Sequence, residues 1–104
     1  MKVATRTQEL TPNQIFRAVS RITRIEIRDL KTPNGKRDKR DARKICSVLI
    51  YDKGGYSLSK TADMLSLINH TTIIHAKRSY SDLLDSDKVF REKVNKVKLL
   101  LGIS

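Results

Sequence analysis

Only one cysteine occurs in the 104 residues, with two prolines, four glycines, five aromatic residues and no tryptophan. Cys46 alone closes no internal disulfide, and with only two histidines it cannot complete a tetrahedral zinc site. A single thiol suits a reducing cytoplasm, the expected compartment. Uninterrupted apolar runs reach about four residues, against the roughly 20 of a membrane span. Met1-Lys2-Val3 leads into polar residues, so no secretory hydrophobic region is expected. The phosphate-binding pattern G-x-x-x-x-G-K-[ST] is absent, which leaves no nucleotide site and no ATPase module. Phe16, Tyr80 and Phe90 fit core positions, so no aromatic platform remains for stacking RNA bases. His70 and His75 lie five residues apart, about 140° around a helix axis, and cannot clamp one metal ion. Asp82, Asp85 and Asp87 lack a calcium-loop spacing and suit capping better. Serine, aspartate and histidine all occur, yet nothing places them as a catalytic triad, and neither an enzyme nor a cofactor is expected.

Acidic residues are half as numerous as basic ones, 11 against 22, for a formal charge of +11. On one domain's worth of surface this concentrates polyanions, and nucleic acid is the commonest inside a cell. Solubility and docking on an acidic protein are the alternatives. The charge is densest in residues 36–44, KRDKRDARK, where six of nine are basic. A run of this kind is often a solvated helix face, but this one leads directly into an apolar helical pattern that would hold it in place.

The pattern is helical throughout. Residues 1–10 show no period and read as a flexible arm, followed by one domain over 11–104. Thr11-Pro12-Asn13-Gln14 is a capping box with proline at the first helical position, and Ile15, Phe16, Val19 and Ile22 follow on one face. Ile25 to Leu30 reads as a single helical turn, and Pro33-Asn34-Gly35 as a loop. A second long helix, about Asp38 to Tyr51, carries Ala42, Ile45, Cys46, Leu49 and Ile50 as its apolar stripe, with Arg40, Arg43, Lys44 and Ser47 off it. Gly54-Gly55 ends it. Ser57 caps a helix over 58–66 with Leu58, Ala62 and Leu65 inward. Asn69 then caps a helix from His70 to about Leu84, burying Ile73, Ala76, Tyr80 and Leu83. Asp85-Ser86-Asp87 breaks the pattern, and a last helix with Phe90, Val94, Val97 and Leu101 stops at Gly102. No segment alternates long enough for a sheet. The expected fold is all-α with about five to six helices.

Helix 58–66, a short turn and helix 70–84 have the dimensions of a helix-turn-helix, although two helices joined by a short turn can equally be plain packing. In the DNA-binding version, the N-terminal residues of the second helix reach base edges in the major groove. Here these are Asn69-His70-Thr71-Thr72. Asparagine can bond adenine, histidine can donate to a base acceptor, and a threonine methyl can pack on a thymine methyl.

The block Asn69-His70-Thr71-Thr72-Ile73-Ile74-His75-Ala76 resembles the D-H-[ST]-T-V-x-H-A signature of the C-terminal DNA-binding domain of the bacterial replication initiator DnaA. Thr11-Pro12-x-Gln14-Ile15, Glu26-x-Arg28-Asp29-Leu30, Arg43-Lys44-Ile45 and Tyr56-Ser57-Leu58-Ser59 are similar to other parts of that domain, and the resemblance spans about residues 10–84. It implies an all-helical unit related to the Trp-repressor fold that binds short A·T-rich duplex boxes. The recognition helix would lie in the major groove and a basic-loop arginine in the adjacent minor groove. Carried over, Asn69, His70 and Thr71 would face bases. Leu58, Ser59, Arg43, Lys44 and Thr72 would contact phosphate, as would Arg40 within the basic run. His75 would pack beneath the recognition helix or reach a phosphate. The minor-groove arginine falls near Gly35, so Lys36 or Arg37 would replace it. The family's Gly-Gly-Arg-Asp is Ser66-Leu67-Ile68-Asn69 here, which implies a reshaped turn, because Leu67 tolerates a positive φ poorly, and an altered box, because asparagine suits adenine where aspartate suits cytosine.

The expectation is a free-standing, bacterial or phage-encoded domain that binds duplex DNA in replication or transcription control. The alternative is an interaction module of the same fold that docks on an acidic partner or a replication protein, with Leu67 and Ile68 as its apolar contacts.

Overall fold

The computed structural model describes residues 10–32, 35–66 and 71–103. Among these, six helices and no strand are present: α1 Pro12–Thr23, α2 Ile27–Leu30, α3 Arg37–Asp52, α4 Leu58–Met64, α5 Thr71–Ser86 and α6 Lys88–Leu101.

Local chemistry sets the helix ends. Thr11 Oγ1 accepts from the Gln14 N–H at 3.2 Å, and Gln14 Oε1 accepts from the Thr11 N–H at 3.0 Å, closing the capping box of α1. Ser57 and Asp87 cap α4 and α6 in the same manner, accepting from the Lys60 and Phe90 N–H groups at 3.1 Å each. Gly102 ends α6 in the left-handed conformation. Gly54 follows α3 where a Cβ would stand 2.7 Å from the Ile50 carbonyl oxygen, so the chain leaves this helix over its own last turn.

α3 is the central post. It packs against α1, α2, α4 and α5, and α6 closes the far side against α1 and α5. Being surrounded explains the first departure from the sequence pattern. Ile45 through Ile50 are all buried, including Ser47 and Val48, so the helix has no polar side there. Ser47 meets this burial by donating its hydroxyl to the Arg43 and Lys44 carbonyls, 3.0 Å each, within its own helix. Thr61 is likewise fully buried and donates to the Ser57 carbonyl at 2.8 Å.

One apolar cluster joins all six helices and includes Leu10, which the sequence pattern leaves in the arm. Tyr80 and Phe90 meet edge to face, with centroids 5.7 Å apart, and fix α5 against α6. α5 runs on through Asp85 and Ser86, and only Asp87 separates it from α6. The backbone ladder carries on through residues that read as a break, with the Asp87 N–H donating to the Leu83 carbonyl at 2.9 Å, and the Ser86 hydroxyl bonds back to the Asp82 carbonyl at 2.9 Å. The arm before Leu10 and the turn residues Pro33 and Asn34 lie outside the described residues.

Candidate nucleic-acid interface

α4 ends at Met64. Leu65 caps it, and Ser66 takes a left-handed conformation at φ 58° before the chain reaches α5. The positive φ that glycine favours thus falls on Ser66. Leu67, Ile68, Asn69 and His70 lie outside the described residues, so the expected base contacts of Asn69 and His70 and the apolar pair have no structural account.

Between α3 and α5 runs a groove of about 310 Å³, lined by Arg40, Arg43, Lys44, Ser47, Leu65, Thr72, His75, Ala76 and Ser79. Five of the residues singled out from the sequence meet here: Arg40, Arg43 and Lys44 from one helix, Thr72 and His75 from the other. His75 is exposed on α5. That corrects the option in which it packs beneath the helix, because Ile73 and Tyr80 supply the buried face instead. Thr71, also exposed, begins α5.

Lys36 is the N-cap of α3, and Arg37 its first residue. Arg37 lies between two carboxylates, Asp87 at 3.6 Å and Asp41 at 3.8 Å. Leu58 and Ser59 open α4 and do not line the groove. Leu58 is half-buried against the core and Ser59 is exposed.

The sequence reading missed Ser79. Lys44 Nζ donates to its hydroxyl at 2.7 Å, a bridge from α3 to α5, with Asp41 3.9 Å from the same ammonium. Thr72, His75, Ala76 and Ser79 follow i, i+3, i+4, i+7 spacing, the signal that would have placed Ser79 on this face. Arg43 is tied down as well. Its Nε donates to the Leu30 carbonyl at 3.1 Å and its Nη2 to the Leu65 carbonyl. Burial lowers the Arg43 pKa, although an arginine remains protonated at neutral pH. Arg40 is exposed and forms no ion pair among the described residues.

The face is therefore cationic, with hydroxyls and one imidazole along a helix. That arrangement suits the phosphates and edges of a duplex better than covalent chemistry. Cys46 is fully buried and burial pushes its thiol pKa up, away from the reactive thiolate. No group of three potential metal ligands occurs among the described residues, and none of their helices is long and apolar enough to cross a membrane.

The fold and this face define a helix-turn-helix domain of the DNA-binding class, with α4 and α5 as its two helices. The family described as bacterial DnaA protein helix-turn-helix matches residues 12–79, and the chain belongs to it. It is 27% identical over 95 residues to the chromosomal replication initiator protein DnaA of Porphyromonas gingivalis, covering 91% of this chain and 20% of that protein. The protein of the same name from Bacteroides thetaiotaomicron matches at 27% over 95 residues, with the same shares covered. That from Thermomicrobium roseum matches at 29% over 94 residues, covering 90% of this chain and 20% of the relative. The chain spans about a fifth of the length of these curated relatives.

Proposed function

We propose that the chain binds duplex DNA at particular A·T-rich boxes, in replication or transcription control, and acts by binding without catalysis. The observation that carries the reading is the groove in which Arg40, Lys44, Thr72 and His75 converge from two helices. In this reading Asn69, His70 and Thr71 face base edges in the major groove. Arg40, Lys44, Thr72 and His75 meet the flanking phosphates, together with Ser59 and the backbone at Leu58. Lys36 or Arg37 enters the adjacent minor groove. Work on a bacterial or phage genome would place the protein in the cytoplasm.

The test is selection of bound duplexes from a random pool, followed by a salt titration on the best one. With about six phosphate contacts, affinity should fall on the order of a thousandfold between about 50 and 200 mM salt. A pool that yields no preferred box, or an affinity insensitive to salt, overturns the reading. A second reading, docking on a replication protein, draws on Leu99 and Leu100, which stand 81% and 47% exposed on α6. It predicts that polar substitution of these two leucines abolishes association with a replication protein and leaves DNA binding unchanged.

A further inference from the structure

Arg43 lines the groove, where a phosphate ligand would be expected. Its hydrogen bonds run in another direction. The two carbonyls it holds belong to Leu30, the last residue of α2, and Leu65, the C-cap of α4. Carbonyls at helix ends lack partners within their own helix and must find donors elsewhere. Both leucine side chains are fully buried, so these acceptors are anchored to the core. The Nε and Nη2 groups form one of the two edges with which an arginine grips an anion in a two-pronged bond. Here that edge bridges two segments 35 residues apart in sequence. Moving it to a phosphate would leave both carbonyls short of a donor, and the guanidinium is already partly withdrawn from water.

We propose that Arg43 is a positioning residue for DNA recognition rather than a phosphate ligand. It ties the end of α4 to α2 across α3, and so sets the direction in which the chain turns through Ser66 into α5. Arg40 and Lys44 are left to meet the phosphates. The inference rests on the DNA-binding reading above and assigns one residue's role within it. A lysine at this position keeps the charge but loses the planar fork that reaches both carbonyls.

The experiment compares Arg43→Lys, Arg43→Gln and the unaltered protein on the selected duplex and on a random duplex, each across a range of salt. Arg43→Lys is expected to lower the ratio of selected to random affinity at least tenfold, with the salt slope unchanged. A retained ratio in Arg43→Lys, with a slope reduced by about 0.9 on both duplexes in Arg43→Gln, identifies a phosphate ligand and overturns the proposal. Should the variants fail to fold, the Arg43 Nε–H resonance of the unaltered protein decides. It is expected to exchange slowly and to keep its shift when duplex is added; fast exchange, or a large shift on binding, overturns the proposal. An unaltered protein that binds no duplex defeats the DNA-binding reading instead, while slow exchange of the Nε–H in the free protein still reports the tie.

Discussion

Ser66 carries a backbone conformation at odds with its side chain. Its φ of 58° lies in the left-handed region, which costs an L-residue roughly 1–2 kcal/mol. Glycine removes that strain but gains freedom in the unfolded chain, which takes back about 0.5–1 kcal/mol. Ser66→Gly is thus expected to stabilise the domain by roughly 0.5–1 kcal/mol, a rise in Tm of about 2–8 °C at this size. Thermal unfolding of the variant measures it, and an unchanged or lower Tm would contradict the strain. Tyr80 offers a second residue-scale test. Burial, with Asp52 adding to it, pushes its phenol up to about 12. The unfolded chain ionises the phenol near 10 while the folded state keeps it neutral, so its contribution is intact below about pH 10 and is lost as pH rises to about 12. Tyr80→Phe should flatten the loss of stability across that window in denaturant titrations. An equally steep loss in the variant would show that other groups govern alkaline unfolding.

At the scale of elements, much was legible because helix ends depend on neighbouring residues. Thr11-Pro12-Asn13-Gln14 and Ser57 specify helix starts through bonds that close within four residues, and Gly102 specifies a stop in the same local way. What depended on the third dimension was not legible. Ser47 reads as solvent-facing on a helical projection and becomes buried because α3 has neighbours on every side. Arg43 reads as one more charge in a basic run, and only the approach of α2 and α4 reveals its two carbonyls. The five groove residues were legible from the signature and the basic run; Ser79 shares their face by helical spacing, but its bond to Lys44 appears only where α3 meets α5. Asp87 shows both kinds of information in one side chain. Its Oδ1 caps α6, as its position suggests, while its Oδ2 stands 3.6 Å from Arg37 at the head of α3. Asparagine keeps the capping oxygen and removes the charge. Asp87→Asn should leave stability within about 0.5 kcal/mol, because the capping oxygen stays and a 3.6 Å pair with an exposed arginine contributes little. It should also leave Arg37 with Asp41 as its one carboxylate among the described residues and tighten duplex binding by roughly two- to fivefold at low salt, with the gain shrinking as salt screens it. Competition binding at two salt concentrations tests this, and weaker binding at low salt would mean that Asp87 orders Arg37 rather than restraining it.

For the molecule as a whole the question is whether a charge of +11 acts as a diffuse field or through its placement. A field attracts any polyanion from every side, and every cation then counts alike. Placement makes the cations on the groove side of α3 count far more than those elsewhere. Two cationic pairs of equal charge separate the cases. Arg40 and Lys44 line the groove between α3 and α5, whereas Arg17 and Arg21 border a separate depression between α1 and α6 with Leu100 and Leu101. Replacing either pair by alanine lowers the net charge by the same two units. If placement governs, Arg40→Ala with Lys44→Ala should reduce the slope of log affinity against log salt by about 1.8, two released counterions at roughly 0.9 each. Arg17→Ala with Arg21→Ala should leave that slope nearly unchanged and lower affinity only a little, through the weakened long-range field. Selectivity between the preferred and random duplex should survive both changes, because phosphate contacts position the protein and base contacts choose the site. Equal losses from the two pairs would instead assign binding to the overall field, and the groove between α3 and α5 would no longer be needed to explain why this domain holds DNA.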